Sequence, residues 1–129
     1  LQGLENVILT PHIGGATEEA QANIGEEVPT SLIRYINTGS TLRAVNLPEV
    51  NMPATANTHR ILNIHKNVPG VLSEINRIVA GLGANIQAQA LSTDSDVGYL
   101  VLDMDRAASN EVKTAIESLK TSIRTRILY

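Results

Sequence analysis

The sequence predicts an α+β protein, with a ferredoxin-like βαββαβ domain over residues 59–129 that follows part of an α/β (Rossmann-type) domain. Strand-like and helical apolar periods alternate after residue 58. The first segment instead holds one buried-type strand and one long helix. Because a buried-type strand needs neighbours on both edges, residues 1–46 are expected to be a remnant of a larger domain.

The first segment is predicted to run strand, loop, helix. Residues 7–9 form a short apolar run that Thr10-Pro11 closes, which is typical of a buried strand. Residues 12–15 follow as a loop. Thr17 is expected to be the N-cap, since two glutamates follow it in the first turn. Gly39 is expected to end the helix, and Pro29 predicts a kink or break within it.

Residues 47–58 are predicted to be a linker, because they combine two prolines with small polar residues and no apolar period. Charge changes near the same place. Residues 1–50 hold two arginines against six glutamates, a balance of −4, whereas residues 51–129 hold eight basic and seven acidic residues, a balance of +1. The predicted division is therefore 1–46, 47–58 and 59–129.

The second segment contains six predicted elements in the order strand, helix, strand, strand, helix, strand: residues 60–66, 71–82, 85–93, 98–104, 109–119 and 123–128. In the second strand, Ile86, Ala88 and Ala90 alternate with polar residues, which predicts one apolar face. Ser109 is expected to cap the second helix. Two βαβ-like halves joined by a hairpin predict a four-stranded antiparallel sheet with helices on one face.

Composition excludes several classes of function. The chain has no cysteine, so it holds no disulfide framework, thiolate nucleophile or zinc finger. No apolar run approaches the roughly 20 residues of a membrane helix. A net charge of −3 and the absence of Phe and Trp argue against nucleic-acid binding. A cytoplasmic location with no membrane partner is expected.

The sharpest motif is Thr10-Pro11-His12-Ile13-Gly14-Gly15. A histidine just past the carboxyl end of a buried strand lies where open α/β sheets bind ligands, and it is the usual acid or base near neutral pH. Two adjacent glycines allow the backbone to approach a flat cofactor closely. A loop histidine in a tight turn is the competing interpretation, and the hexapeptide alone leaves both open.

His65, Asn67 and Asn85 form a second set of candidates. His65 and Asn67 are two residues apart, so they project from one side of a continuing strand. The helix after them presents unpaired amides suited to a carboxylate. By pattern alone these polar residues are more simply solvated strand ends. His59 is interpreted as a surface residue, and with no third ligand near His59 and His65 no metal site is predicted.

Residues 9–17, followed by Glu19-Ala20-Gln21, resemble the end of the nucleotide-binding domain of the D-isomer-specific 2-hydroxyacid dehydrogenases. The resemblance implies an NAD-dependent oxidoreductase in which His12 is the catalytic acid or base. It also implies that His12, Ile13, Gly14 and Gly15 line the nicotinamide site. The partner glutamate, the substrate-binding arginine and the glycine-rich fingerprint of the family are not among these residues. The chain by itself is therefore expected neither to bind NAD nor to be active.

The first motif is followed, in the order typical of the family, by residues 63–72 and 83–86. These stretches narrow the resemblance to family members that catalyse the first step of L-serine biosynthesis and end in one ACT domain. It implies that His65, Asn67 and Asn85 bind the feedback inhibitor L-serine between paired ACT domains. Self-association is expected, as a dimer of this chain and a tetramer of the intact enzyme. One departure is that residues 54–58 lack the Gly-Gly hinge of related enzymes. The alternative functions are a non-catalytic amino-acid-binding ACT dimerisation module of another metabolic enzyme and, less favoured, a nucleic-acid-binding domain.

Overall fold

A computed structural model describes all 129 residues. Seven elements are present: α1 Glu18–Thr38, β1 His59–Lys66, α2 Val71–Gly81, β2 Ile86–Thr93, β3 Val97–Met104, α3 Ser109–Glu117 and β4 Ser122–Leu128. The chain divides into two compact units, Leu1–Ile33 and Arg34–Tyr129.

The four strands form one antiparallel sheet in the order β2-β3-β1-β4. The central strand β1 pairs with β3, where His65 lies opposite Gly98, and with β4, where Asn63 lies opposite Thr125. This is the βαββαβ arrangement that the apolar periods predict, and the predicted fold class is confirmed.

Apolar side chains cover both faces of the sheet. On one face, α2 and α3 pack over Ile61 of β1 and over alternate residues of β3. On the other face, Leu62 of β1 and Tyr99 and Val101 of β3 pack against Val50. The alternation of β1 and β3 thus serves two cores, which explains why both strands are almost entirely buried.

The predicted clean alternation of β2 is wrong at its start. The register between β2 and β3 shifts between Ile86 and Ala88. Ile86 therefore packs against the helix-side core, whereas Ala90 packs against the opposite core. A β-bulge inserts one residue and so moves the later side chains of the strand to the other face, which is why residues 86 and 90 do not share a face.

Residues 39–55, which we call the strap, contact the sheet face opposite the helices through Val50 and Met52. Val50 is buried there, and Thr41 accepts the Val50 N–H at 2.8 Å through its hydroxyl. The Tyr99 hydroxyl donates to the Gly39 carbonyl at 2.5 Å. Part of the predicted linker is therefore bound to the sheet, because Val50 is apolar and the strap carbonyls find donors on β1 and β3. The boundaries at 46 and 58 stay predictions.

Helix α1 has the predicted ends. The Ala20 N–H donates to the Thr17 hydroxyl at 3.1 Å, and Gly39 has φ 72° with its N–H on the Tyr35 carbonyl at 2.9 Å. The predicted break at Pro29 is wrong, since the helix runs through it. That part of α1 is exposed, so water can pair with the carbonyl that Pro29 leaves without a donor.

Two local predictions fail. Residues 7–9 do not form a strand, and Ile8 is 91% exposed. They have no neighbouring strand to complete their hydrogen bonds, and an apolar run alone does not fix extended structure. Ser109 is not the cap of α3 either. It is the first helical residue, and its hydroxyl donates to the Arg106 carbonyl at 2.8 Å.

Candidate functional site

The first candidate, His12, lies in an exposed loop. The Ala16 N–H donates to the Ile13 carbonyl at 3.0 Å, and the Gln21 amide donates to the Gly15 carbonyl. The four residues His12, Ile13, Gly14 and Gly15 are all exposed, and a Cβ added at Gly14 would meet nothing within 4 Å. The catalytic and cofactor roles inferred from the resemblance therefore stay predictions.

The second candidate, His65, lies on β1 and is only 3% exposed. Its Nδ1 lies 3.0 Å from Oδ1 of Asn63. A Cβ added at Gly98 on β3 would lie 2.3 Å from His65 Nε2, so the imidazole occupies the space that any side chain at residue 98 would need. Gly98 therefore makes room for the ring.

Asn63 is a site residue that sequence reasoning missed. It is fully buried on β1, and its amide nitrogen lies 2.9 Å from Ser122 Oγ and 3.0 Å from Thr125 Oγ1. The signal was available, because Asn63 shares a strand face with Ile61 and a polar residue at such a core position requires partners. What the sequence did not show is that β4 supplies them.

Burial controls the charge of His65. Its pKa is lowered because removal from water disfavours the imidazolium, while a hydrogen bond with the backbone of Asn63 acts in the opposite direction. Burial therefore favours the neutral imidazole, which has one donor and one acceptor nitrogen.

Asn67 lies beyond the end of β1 and is exposed. Its side-chain amide donates to the Asp94 carbonyl at 2.6 Å, and its backbone N–H donates to the Asp96 carbonyl at 2.9 Å. These bonds attach the β1–α2 loop to the β2–β3 turn. The Asn67 side-chain oxygen is left available as an acceptor.

The N-terminus of α2 lies next to this loop. Gly70 is its N-cap with φ 94°, and no side chain caps the helix. A groove of about 390 Å³ adjoins it, and its lining includes Glu74, Arg77 and Thr121. Uncapped amides and an arginine favour a carboxylate, and Glu74 favours an ammonium. The groove thus offers both signs of charge that a zwitterion needs.

Asn85 is not brought near these residues within one chain. It precedes the edge strand β2, and its N–H donates to the Asp105 carboxylate at 3.2 Å, beyond the end of β3. His65 pairs with Gly98 at the opposite end of β3. Eight residues of β2 lie between these ends, a length of about 26 Å at a strand rise of about 3.3 Å per residue.

His59 lies outside this group of residues. Its Nδ1 is 2.7 Å from Ser109 Oγ, and its ring packs edge-on against Tyr129 with the centroids 4.9 Å apart. No group of three or more His, Asp or Glu side chains is arranged to hold a metal ion. None of the helices is both long and apolar enough to span a bilayer.

Comparison with known proteins shows what the chain is related to. A family model described as "AHAS small subunit-like ACT domain" matches residues 61–124. A crystal structure of the ACT domain from the GTP pyrophosphokinase of Chlorobium tepidum matches with a TM-score of 0.50 and 12% identity, and covers 57% of this chain and 100% of that chain. At this identity the structural match supports the fold alone.

Proteins named D-3-phosphoglycerate dehydrogenase are similar along the chain. The protein from Dictyostelium discoideum is 52% identical over 129 residues, which is 100% of this chain and 31% of that protein. The Escherichia coli protein is 48% identical over 127 residues, covering 97% of this chain and 31% of that protein. The chain thus spans less than a third of the length of these relatives. Residues 61–124 have the ACT-domain fold, and the whole chain is similar to the C-terminal part of proteins named D-3-phosphoglycerate dehydrogenase.

Proposed function

We propose that the chain is the regulatory, C-terminal part of an NAD-dependent enzyme that oxidises 3-phospho-D-glycerate to 3-phosphohydroxypyruvate, the first step of L-serine biosynthesis. The observation that carries this proposal is an alignment over all 129 residues, at 52% identity, with a protein named D-3-phosphoglycerate dehydrogenase. In the intact enzyme, His12 takes the proton of the substrate hydroxyl. The exposed loop at residues 12–15 does not by itself form an NAD site, so we expect the chain alone to be inactive.

The ACT domain is proposed to bind L-serine between two copies. β2 is an edge strand without proline or lysine, so two β2 edges can pair about a two-fold axis. Such antiparallel pairing places the start of one β2 opposite the end of the other. The partner's Asn85 then approaches His65 and Asn67. Within a single chain, Asn85 lies at the opposite end of β3 from these two residues.

The polar groups suit a small zwitterion. The uncapped amides of α2 and Arg77 can receive its carboxylate. The side-chain oxygens of Asn67 and of the partner's Asn85 can accept from its ammonium. Because the full site needs two chains, bound serine is expected to tighten the dimer.

Titration calorimetry with L-serine tests this proposal. We expect Asn85→Ala to weaken binding roughly tenfold to a hundredfold, since one hydrogen bond to a charged group is lost. Asn110→Ala is the matched control, because Asn110 is an exposed asparagine on α3 that contacts Tyr129. Equal affinities of wild type and Asn85→Ala would refute the interface site. Binding of a different amino acid instead would favour an ACT module of another metabolic enzyme, the alternative that the family model's description also supports.

A further inference from the structure

We propose that Asn63 is a positioning residue that holds His65 in the Nδ1–H tautomer, so that Nε2 meets the effector as a hydrogen-bond acceptor. This inference rests on the proposed effector site. It adds that, in the hydrogen bond between His65 and the effector, His65 is the acceptor. It predicts that the effector presents a donor, an ammonium or a hydroxyl, to His65.

The orientation of the Asn63 amide is set by β4. One end of the amide faces Ser122 Oγ at 2.9 Å, Thr125 Oγ1 at 3.0 Å and the Arg124 carbonyl at 3.4 Å. A backbone carbonyl only accepts, so the group that faces it is the NH₂. The Asn63 oxygen therefore faces His65.

The tautomer of His65 is determined by this orientation. The Asn63 oxygen lies 3.0 Å from His65 Nδ1 and can only accept, so Nδ1 carries the proton. Nε2 of the neutral ring then bears the lone pair, and it has no hydrogen-bond partner in the chain.

The surroundings of the ring keep it neutral. His65 is opposed by Gly98 on β3 and by Ser122 on β4. Burial disfavours the imidazolium, and no charged neighbour contributes to the change in its pKa. A neutral acceptor repels a carboxylate at this position and attracts an ammonium or hydroxyl. The effector carboxylate is therefore directed toward the amides of α2, away from His65.

The direct test is ¹⁵N NMR of the imidazole in the wild-type chain, assigned with His65→Ala. We expect a pyrrole-type shift for Nδ1 and a pyridine-type shift for Nε2 at neutral pH. His59 is an internal reference, because its Nδ1 contacts Ser109 and not Asn63. The opposite tautomer of His65 would overturn the inference without the use of any Asn63 variant.

The functional test compares Asn63→Asp with Asn63→Ala. A carboxylate beside Nδ1 favours the imidazolium, in which Nε2 is a donor. We therefore expect Asn63→Asp to bind L-serine roughly tenfold to a hundredfold more weakly than wild type near pH 6 and to recover toward pH 8. Asn63→Ala is expected to lose affinity without that recovery, because it adds no charge.

Two outcomes separate this inference from the proposed function. If the wild-type chain shows the Nδ1–H tautomer but does not bind L-serine, the effector assignment fails and the positioning role of Asn63 stands. If L-serine binds but the affinity of Asn63→Asp has the same pH profile as wild type, the positioning role fails and the effector site stands.

Discussion

Replacement of Arg60 by alanine tests whether one buried side chain holds the strap on the sheet. Arg60 is 6% exposed on β1, and its guanidinium uses all five N–H groups. It donates to the Asp103 carboxylate at 2.6 and 2.8 Å, to the carbonyls of Thr38 and Met52 at 2.9 Å each, and to the Pro53 carbonyl at 2.7 Å. The guanidinium of Arg60 thus connects the end of α1 and the strap to β3.

The size of the loss depends on the groups that Arg60→Ala leaves without a partner. Asp103 is fully buried and would keep only its hydrogen bonds with Thr55, whose N–H donates to it at 3.1 Å. Burial by itself raises the pKa of Asp103, and the hydrogen bonds from Arg60 and Thr55 hold it below its usual value. Removal of one member of a buried pair costs about 3–5 kcal/mol. That is a large share of the roughly 5–15 kcal/mol that stabilises a domain.

Urea unfolding followed by circular dichroism measures this loss, and hydrogen exchange locates it. We expect the Val50 amide, which donates to Thr41, to lose protection in Arg60→Ala before the amides of β1 and β3 do. Arg126→Ala is the matched control, since Arg126 lies over the Tyr35 ring at 5.3 Å and donates to the Ile36 carbonyl at 3.3 Å. We expect about 1 kcal/mol or less from it.

The reasoning would be refuted if Arg60→Ala cost no more than Arg126→Ala and left the Val50 amide protected. The double variant Arg60→Met, Asp103→Leu adds a second check. It removes the uncompensated charge but leaves the strap carbonyls without donors. We therefore expect its stability to exceed that of Arg60→Ala, while the strap still exchanges rapidly.

Two further predictions concern β3. Gly98→Ala is expected to cost about 1–3 kcal/mol and to weaken L-serine binding, because its Cβ would lie 2.3 Å from His65 Nε2 and displace the ring; unchanged urea midpoint and calorimetric affinity would contradict this. Burial, with a smaller contribution from Tyr35, raises the pKa of Tyr99. A raised tyrosine pKa stabilises the fold below about pH 10, and that stabilisation is lost at higher pH. Tyr99→Phe is therefore expected to flatten the decline of the urea midpoint at alkaline pH. An equal decline in both proteins would rule this explanation out.

The strap bears on how the two parts of such an enzyme are connected. The sequence lacks a Gly-Gly hinge before the ACT strand, and the structure binds Met52 and Pro53 to Arg60 instead. A segment that is held by a buried guanidinium has less freedom than a glycine hinge. Movement of the ACT domain is therefore expected to involve residues 39–55 and the end of α1 with it.

The sequence by itself determined the βαββαβ order and the two ends of α1, because these depend on local properties. Apolar residues at a period of two or 3.6 predict strands and helices whatever their neighbours are. Thr17 and Gly39 make their capping bonds to residues three and four positions away. The two resemblance motifs are likewise contiguous stretches, so the family was recognisable without coordinates.

Only the tertiary structure decided which strands are neighbours, and with that the chemistry of the site. Residues 7–9 have the pattern of a strand but no partner strand, and β2 changes face at a bulge that depends on its pairing with β3. Asn63 became a site residue because β4, about 60 positions later in the chain, supplies Ser122 and Thr125 as its acceptors. A buried polar side chain requires partners, and pairing between distant strands determines which partners it has.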